Sequence, residues 1–587
     1  MFTTAGRSVK SGLIAAGVVS SWTWAATLLQ SSSVAYKYGV SGPLFYACGA
    51  GVQIILFATM AIELKRRSPN AHTVLEGIRA RYGTITHCVF IVFCLMCNIL
   101  VSAMLLAGGS AVVNSLTGMN TIAACFLLPV GVVLYTMFGG VKSTLLTDYA
   151  HTIILVVLVF IFAFSAYVSG DKLGSTSKVY DLLVQAAIRH PVEGNAEGSY
   201  LTVRSREGAI FFVINLVGNF GTVFLDCGYW NKAIAAHPVA AFPGYVLGGL
   251  CWFAIPWLCS TTLGLVALAL EGPERMATAD VTAGLALPFA AVKMLGSGGA
   301  AATLLLIFMA VTSAFSAELI AISSLFTYDI YQAYIHPKAS GKTLVDQNAI
   351  AAALSPVLGL ACALIAWLVT TKKQYGVFTV ETTGANNPML AGNVTALLSP
   401  LLFSPALTFI FGRQNYDWES MKNIRKVDDS QVIADANVDI EQVPGQVDTT
   451  PDDMEEEMKM LKRTSTIARC LTVIVALCLL IIWPMPMYGS SYVFSKPFFR
   501  GWIVVGIIWL FGTAAGIIIF PLYEGRKTMA TTFRSMWRDI TGRRGKVVSG
   551  EIQHGSGVDA ANVGGDDEYS STPEKLSKEI DRTSLKE

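Results

Sequence analysis

A glutamate stands inside an apolar segment where an ionisable side chain is costly. Residues 310–331 continue the apolar run TLLLIFMAV and contain Glu318 together with several serines. At about 100° per residue, Ala310, Ser313 and Glu318 fall on one face of a helix. A carboxylate at membrane depth costs at least about 2.5 kcal/mol, so we expect Glu318 to face protein or a water-filled path. The segment therefore predicts a membrane helix that lines a cation pathway.

The composition limits the protein class. The chain has 587 residues, of which 53% are hydrophobic and 14% are charged, against roughly 25% charged residues in soluble domains. The apolar residues fall in long blocks, which predicts an all-α polytopic protein of the lipid bilayer. The net charge of +2 does not indicate a nucleic-acid partner. The seven histidines are scattered, so the sequence predicts no enzyme, no metal site and no cofactor.

The apolar blocks and the basic residues predict about twelve crossings and their orientation. Basic residues concentrate in the loop at 64–83, which the positive-inside rule places in the cytoplasm together with both termini. The tail at 522–587 is first basic (526–546) and then polar, which predicts a lipid-facing strip and a disordered end. The predicted crossings are 11–29, 41–63, 84–107, 120–139, 147–169, 208–227, 244–268, 296–331, 348–370, 388–411, 467–488 and 499–521.

Two crossings have the composition of interrupted helices. The first contains VSSWTWAATLLQS at 19–31, and the sixth contains NLVGNFGTVFLD at 215–226. Secondary transporters use broken helices to build sites near the midplane. The breaks lie in the first and the sixth crossing, an offset of five. Because this number is odd, the two halves have opposite orientation, which indicates an inverted repeat. The alternative is that Gly218 and Gly221 only let helices pack closely.

Four motifs resemble the solute:sodium symporter family, and a fifth resembles its urea-transporting branch in fungi and plants. The four are FTTAGRS (2–8), GGVKSTLLTDYAH (139–151), GYWNKAIAAHP (228–238) and TSAFSAELIAISSLFTYDIY (312–331), and the fifth is TTGANNPMLAGN (382–393). Together they cover residues 2–411.

The resemblance implies a LeuT-type five-plus-five inverted repeat with two additional C-terminal helices. The implied units are a cytoplasmic N-terminus at 1–10 without the family's first peripheral helix, a first repeat (11–170), an extracellular loop (171–207), a second repeat (208–411), a cytoplasmic acidic loop (412–466), a last helix pair (467–521) and the cytoplasmic tail.

The same resemblance implies a cation site. It would use the backbone carbonyls of Val19, Trp22 and Ala310 and the hydroxyl of Ser313. Family members usually carry a second hydroxyl where this chain has Ala314. A Na⁺ site would thus lack one oxygen ligand, and Glu318, one turn further along, is a carboxylate that could carry a proton instead.

Further residues are candidates for the substrate and the coupling ion. Urea is flat and polar, so it requires aromatic faces and a few fixed polar groups. Asp148, in the TD motif, is expected either on the cation exit route or as a carboxylate at a helix N-terminus. For each substrate candidate, helix packing is the alternative role. The substrate candidates are Trp22, Trp24, Tyr46, Asn219, Asn393 and Thr395, and the resemblance implies that Asn219 contacts the substrate and that Thr222 serves as the inner gate.

These observations predict a plasma-membrane symporter that imports urea with a proton, or with sodium, by alternating access. Two alternatives stay open. One is sodium-coupled transport of another solute, such as proline or a polyamine. The other is a sensor that binds solute without transporting it.

Overall fold

The computed structural model describes residues 4–335, 347–412, 418, 421 and 451–526, which form a helical body. The α-helices in chain order are α1 Ser11–Trp22, α2 Ala25–Tyr38, α3 Ser41–Arg67, α4 Val74–Thr117, α5 Thr121–Phe164, α6 Thr176–Arg189, α7 Arg206–Leu225, α8 Cys227–Ala235, α9 Pro238–Ala254, α10 Ser260–Ala269, α11 Thr278–Thr282, α12 Ala286–Leu295, α13 Ser297–Ser324, α14 Gln347–Tyr375, α15 Val380–Thr383, α16 Asn386–Phe411, α17 Pro451–Leu477, α18 Pro484–Gly489 and α19 Lys496–Ala514.

The first crossing is broken where the sequence predicts it. Helices α1 and α2 are bent by 58° at a break of two residues, Thr23 and Trp24. The Thr23 hydroxyl donates to the Val19 carbonyl at 2.7 Å, so a side chain fills part of the gap in the backbone hydrogen bonding. Trp22, at the end of α1, is buried, and Trp24, in the break, is half-buried.

The second break lies at Asp226, the last residue of the predicted interval. Helix α7 passes through Gly218 and Gly221 without interruption, which corrects the expectation that these glycines open the helix. A helix satisfies all its backbone groups within lipid, so glycine alone does not break it there. Asp226 has an extended backbone (ψ 111°), and its side chain caps α8 by accepting from the Gly228 amide at 2.7 Å.

Two long helices contain glycine kinks. Gly83 in α4 and Gly140 in α5 have positive φ values of 79° and 55°, a conformation that glycine adopts without strain. The span Thr121–Ser169 has 49 residues, more than twice the roughly 20 residues that cross a bilayer. The kink at Gly140 therefore agrees with two predicted crossings there.

Ten helices are long and apolar enough to cross a membrane among the described residues, or eleven if the bent pair is one span. The predicted number of about twelve crossings stays a prediction. Two predicted loops also contain helices: α6 lies within 171–207, and α17 begins at Pro451 inside 412–466. The interval 427–450 and the tail beyond 526 lie outside the described residues.

Small residues allow α1, the first part of the broken crossing, to pack in the centre of the body. Helix α1 packs against α5, α9 and α13. A Cβ atom on Gly248 of α9 would lie 2.8 Å from Val18 Cβ, and one on Gly244 would lie 2.7 Å from Ile14 Cγ2. Such approach is typical of small residues in membrane helix interfaces. It places the end of α1, with the break, beside α5 and α13.

A carboxylate from the far end of the chain caps α1. Glu524, at the end of the span Lys496–Arg526, accepts hydrogen bonds from the Ser11 hydroxyl and the Gly12 amide, each at 2.8 Å. The free amides of a helix N-terminus favour such a negative group. The last membrane helix therefore holds the beginning of the first one.

Candidate functional site

The carbonyls that the sequence predicts as cation ligands already accept hydrogen bonds. Val19 O accepts from the Thr23 amide at 3.1 Å and from its hydroxyl at 2.7 Å. Trp22 O accepts from the Thr27 hydroxyl at 3.0 Å. Ala310 and Ser313 are buried on the facing helix α13. The predicted residues are thus brought to one place, and their role as cation ligands stays a prediction.

An ammonium group lies at this place, and the sequence reasoning missed it. Lys232 of α8 is buried, and its Nζ donates to Gly17 O at 3.0 Å, to the Ser21 hydroxyl and to Asp148 Oδ2. The other carboxylate oxygen, Asp148 Oδ1, accepts from the Ser313 hydroxyl at 2.6 Å. These residues form a buried ion pair, which we call the lysine site (Gly17, Ser21, Asp148, Lys232, Ser313).

Asp148 lies inside a helix rather than at its start. Helix α5 continues past the kink at Gly140, and Asp148 is eight residues further along. The structure therefore contradicts the alternative in which Asp148 stabilises a helix N-terminus. Lys232, in the motif GYWNKAIAAHP, could have indicated this ion pair from the sequence, because a lysine in an apolar helix requires a buried partner.

Glu318 faces a second carboxyl group. Glu318 is 3% exposed, and its Oε2 accepts from Asn98 Nδ2 at 2.6 Å. The same amide nitrogen donates to Asp226 Oδ1 at 3.0 Å. We call Glu318 and Asp226, which are joined by the Asn98 amide, the carboxyl pair. Glu318 therefore faces protein, as predicted, whereas Asn98 and Asp226 were not among the predicted site residues.

The carboxyl pair has no basic side chain in direct contact among the described residues. Lys232, on the helix that Asp226 caps, donates its hydrogen bonds to the lysine site instead. Asn98 Oδ1 is buried without a hydrogen-bond partner in the described part of the chain. Two buried carboxylates this close to one amide repel each other and lose their hydration, so the arrangement favours a shared proton.

The tryptophans at the first break belong to an aromatic cluster. Trp22 packs on Tyr229 with ring centroids 4.4 Å apart, and on Trp252 in a T-shaped contact at 6.5 Å. Trp22 Nε1 is buried and has no acceptor among the described residues. Trp24 Nε1 donates to Ser21 O at 2.5 Å, which ties Trp24 to α1. The cluster thus offers aromatic faces and, within the described part of the chain, the free indole donors of Trp22 and Trp252.

The predicted amide lies in a group of polar residues on α7. Asn219 Nδ2 donates to Asn215 O at 2.7 Å and to Asn215 Oδ1 at 2.9 Å. Asn215 Nδ2 in turn donates to Tyr46 O at 3.1 Å, and the Tyr46 ring stacks on Phe211. The structure brings Asn219 and Tyr46 together through Asn215, which the sequence reasoning did not select.

The candidates on α16 are only partly placed toward this group. Asn393 Oδ1 would lie 3.7 Å from a Cβ atom on Gly218, so Asn393 faces α7. The Thr395 hydroxyl donates to Ala391 O at 2.7 Å, within its own helix. The Thr222 hydroxyl likewise donates to Gly218 O at 3.1 Å. Among the described residues, no hydrogen bond joins these side chains to Trp22.

A solved structure gives the same fold. The substrate-bound outward-open state of a Na⁺-coupled sialic acid symporter matches with a TM-score of 0.52 at 14% identity, covering 69% of this chain and 92% of that one. This likeness confirms the predicted LeuT-type fold class.

Sequence comparisons show the family. The model of the sodium:solute symporter family matches residues 2–399. The chain is 49% identical to a probable urea active transporter 1 of Schizosaccharomyces pombe, over 92% of this chain and 88% of that protein. It is 46% identical to the urea active transporter of Saccharomyces cerevisiae, over 93% and 89%, and 41% identical to the urea-proton symporter DUR3 of rice, over 91% and 81%. The chain therefore belongs to the sodium:solute symporter family.

Proposed function

We propose that this protein imports urea by proton symport across the plasma membrane, with both termini in the cytoplasm. The relatives in two yeasts and in rice carry names of urea transporters, which supports urea as the cargo. The carboxyl pair is the observation that carries the proton part of the proposal. The cation moves with the substrate as the protein alternates between outward-open and inward-open conformations.

The carboxyl pair supports a proton as the coupling ion. Glu318 and Asp226 share the Asn98 amide, and Lys232, on the helix that Asp226 caps, is bound to Asp148. A proton on the pair removes the repulsion between the carboxylates, and its release restores the repulsion. A site that is stable with a proton and strained without one couples proton binding to a change of conformation.

Urea would bind between the aromatic cluster and the polar group on α7. In this proposal Trp22 and Trp24 contact the flat faces of urea, and the free Trp22 Nε1 donates to its carbonyl oxygen. Asn219 accepts from its N–H groups, while Tyr46, Asn393 and Thr395 complete the wall. Thr222, further along α7, serves as the gate.

The membrane potential supplies enough energy for one proton to concentrate urea inside the cell. A proton that moves inward through 100 mV supplies about 2.3 kcal/mol. At about 1.36 kcal/mol per tenfold change, this energy supports roughly a fifty-fold urea gradient before any pH difference is counted. Symport of one proton per urea would therefore concentrate a dilute nitrogen source.

The proposal predicts uptake that depends on protons and not on sodium. We expect cells without their own urea transporter to accumulate labelled urea when they express this chain. A protonophore should reduce the accumulation to the level of untransformed cells, whereas replacement of Na⁺ by choline should leave it unchanged. Uptake that ignores the protonophore and requires Na⁺ would contradict the proposal and favour sodium coupling. Purified protein that binds urea and transports none would favour a sensor.

The aromatic cluster provides a prediction about affinity. We expect Trp22→Phe to raise the half-saturating urea concentration about two- to tenfold, because the ring face stays and one hydrogen-bond donor, worth roughly 0.5–1.5 kcal/mol, is lost. The measurement is initial uptake at graded urea concentrations.

Trp252→Phe is the matched control for this change. Trp252 touches Trp22 edge-on, and its Nε1 is also buried without a partner among the described residues. We expect this variant to keep the wild-type half-saturation. Equal effects of the two substitutions would mean that Trp22 only packs.

A further inference from the structure

The lysine site is lined by oxygen atoms of the kind that bind a free cation. Gly17 and Ser21 come from α1, Asp148 from α5 and Ser313 from α13. A backbone carbonyl, a hydroxyl and a carboxylate surround Lys232 Nζ. Such oxygen ligands suit a small hard cation. An ammonium has three donors and no acceptor, so these three oxygens satisfy it completely.

The backbone at Gly17 permits this arrangement. A Cβ atom on Gly17 would lie 2.9 Å from Leu145 Cδ2, 3.6 Å from Asp148 Oδ2 and 3.8 Å from Lys232 Nζ. A side chain at this position would therefore compete for the space beside the ion pair. Because glycine leaves that space open, the Lys232 ammonium reaches the Gly17 carbonyl directly.

The oxygens next to the lysine site are also engaged. Val19 O and Trp22 O accept from threonine hydroxyls, and the Ser313 hydroxyl donates to Asp148 and contacts the Ser20 hydroxyl. At position 314 the methyl group of a buried alanine replaces a further possible oxygen. Consequently, a Na⁺ ion at this place would have to displace Lys232 from the carboxylate, and the displaced ammonium would stay buried and unpaired.

We propose that Lys232 is a cation-selectivity residue: its ammonium is a tethered cation that occupies the Asp148 carboxylate and so excludes Na⁺ from this position. The inference rests on the proposed function, since it explains why the coupling ion is a proton. The tether prevents the ammonium from crossing the membrane, and therefore the transported charge must bind elsewhere. Among the described residues, we assign the carboxyl pair to it.

The inference predicts that removal of the ammonium creates a sodium site. Purified full-length protein is heated in NaCl and in choline chloride at equal ionic strength. We expect Lys232→Met to unfold at a temperature roughly 2 °C higher in NaCl, because Na⁺ binds the folded state next to the unpaired carboxylate. The wild type should unfold at the same temperature in both salts. A structural role of Lys232 alone would lower both temperatures equally.

Two controls define the site and its charge. Lys232→Met/Asp148→Asn lacks both charges and should show no Na⁺ effect, and Lys232→Arg keeps the positive charge and should show none either. A Lys232→Met protein that is indifferent to Na⁺ would overturn the inference, as would stabilisation of the wild type by Na⁺.

A binding measurement decides the matter if Lys232→Met is not recovered in folded form. Radioactive Na⁺ bound to the wild type at the level of the double variant supports the inference, and excess binding by the wild type overturns it. The proposed function fails separately. Urea uptake that ignores a protonophore would end the proton proposal without altering these results, and a Lys232→Met protein without a Na⁺ response would leave proton coupling intact.

Discussion

Glu318→Gln is expected to abolish urea accumulation while sparing urea binding. Glutamine keeps an oxygen that accepts from Asn98 Nδ2, but it cannot take up or release the transported proton. The variant should therefore equilibrate urea rather than concentrate it, which removes the roughly fifty-fold gradient that one proton supports at 100 mV. The steady-state ratio of internal to external labelled urea measures this effect.

The dependence on external pH gives a second readout for the same variant. Wild-type uptake should rise as the external pH falls, because protonation of the carboxyl pair precedes transport, whereas uptake by Glu318→Gln should be flat. Glu381→Gln is the matched control, since Glu381 lies exposed in α15 and should behave like the wild type in both assays. Wild-type accumulation and pH dependence in Glu318→Gln would show that Glu318 only fills space.

Asp148→Asn should have the largest effect on stability. The substitution leaves the Lys232 ammonium buried with no carboxylate beside it. Loss of one partner of a buried ion pair costs about 3–5 kcal/mol. We expect the unfolding temperature of the purified protein to fall by roughly 2–4 °C. Thermal unfolding in choline chloride measures this change without interference from Na⁺.

The double variant Asp148→Asn/Lys232→Met separates the charge from the packing. It removes both charges and keeps a side chain of similar length at position 232, so it should recover most of the lost stability. An Asp148→Asn protein as stable as the wild type would show that the ammonium does not need the carboxylate. A double variant no more stable than the single one would show the same.

The fold could be predicted well because lipid imposes simple rules. Apolar length sets where the crossings lie, and the polar residues at 19–31 coincide with a real break at Thr23 and Trp24. The prediction that Gly218 and Gly221 open α7 was wrong, since glycine is permissive and does not force an opening. The capping carboxylate of Asp226 marks the true break.

The site could be predicted only where one helix carries the signal. Glu318 and Ser313 lie on one face of α13, so periodicity alone groups them. Their partners come from other helices: Asn98 from α4 binds Glu318, and Asp148 from α5 accepts from Ser313. Asp226, at the α7–α8 junction, shares the Asn98 amide with Glu318. Periodicity within one helix contains no information about contacts between side chains of different helices, which depend on how the helices pack.

The cap on α1 has a consequence for how the protein folds during its synthesis. The first-turn amide of Gly12 receives its acceptor from Glu524, which the ribosome adds 512 residues later. At about 5–20 residues per second, translation needs roughly 25–100 s to cover that distance. Throughout this interval the N-terminus of the nascent α1 lacks its capping carboxylate. The final position of α1 is therefore fixed only after the segment that carries Glu524 has been synthesised.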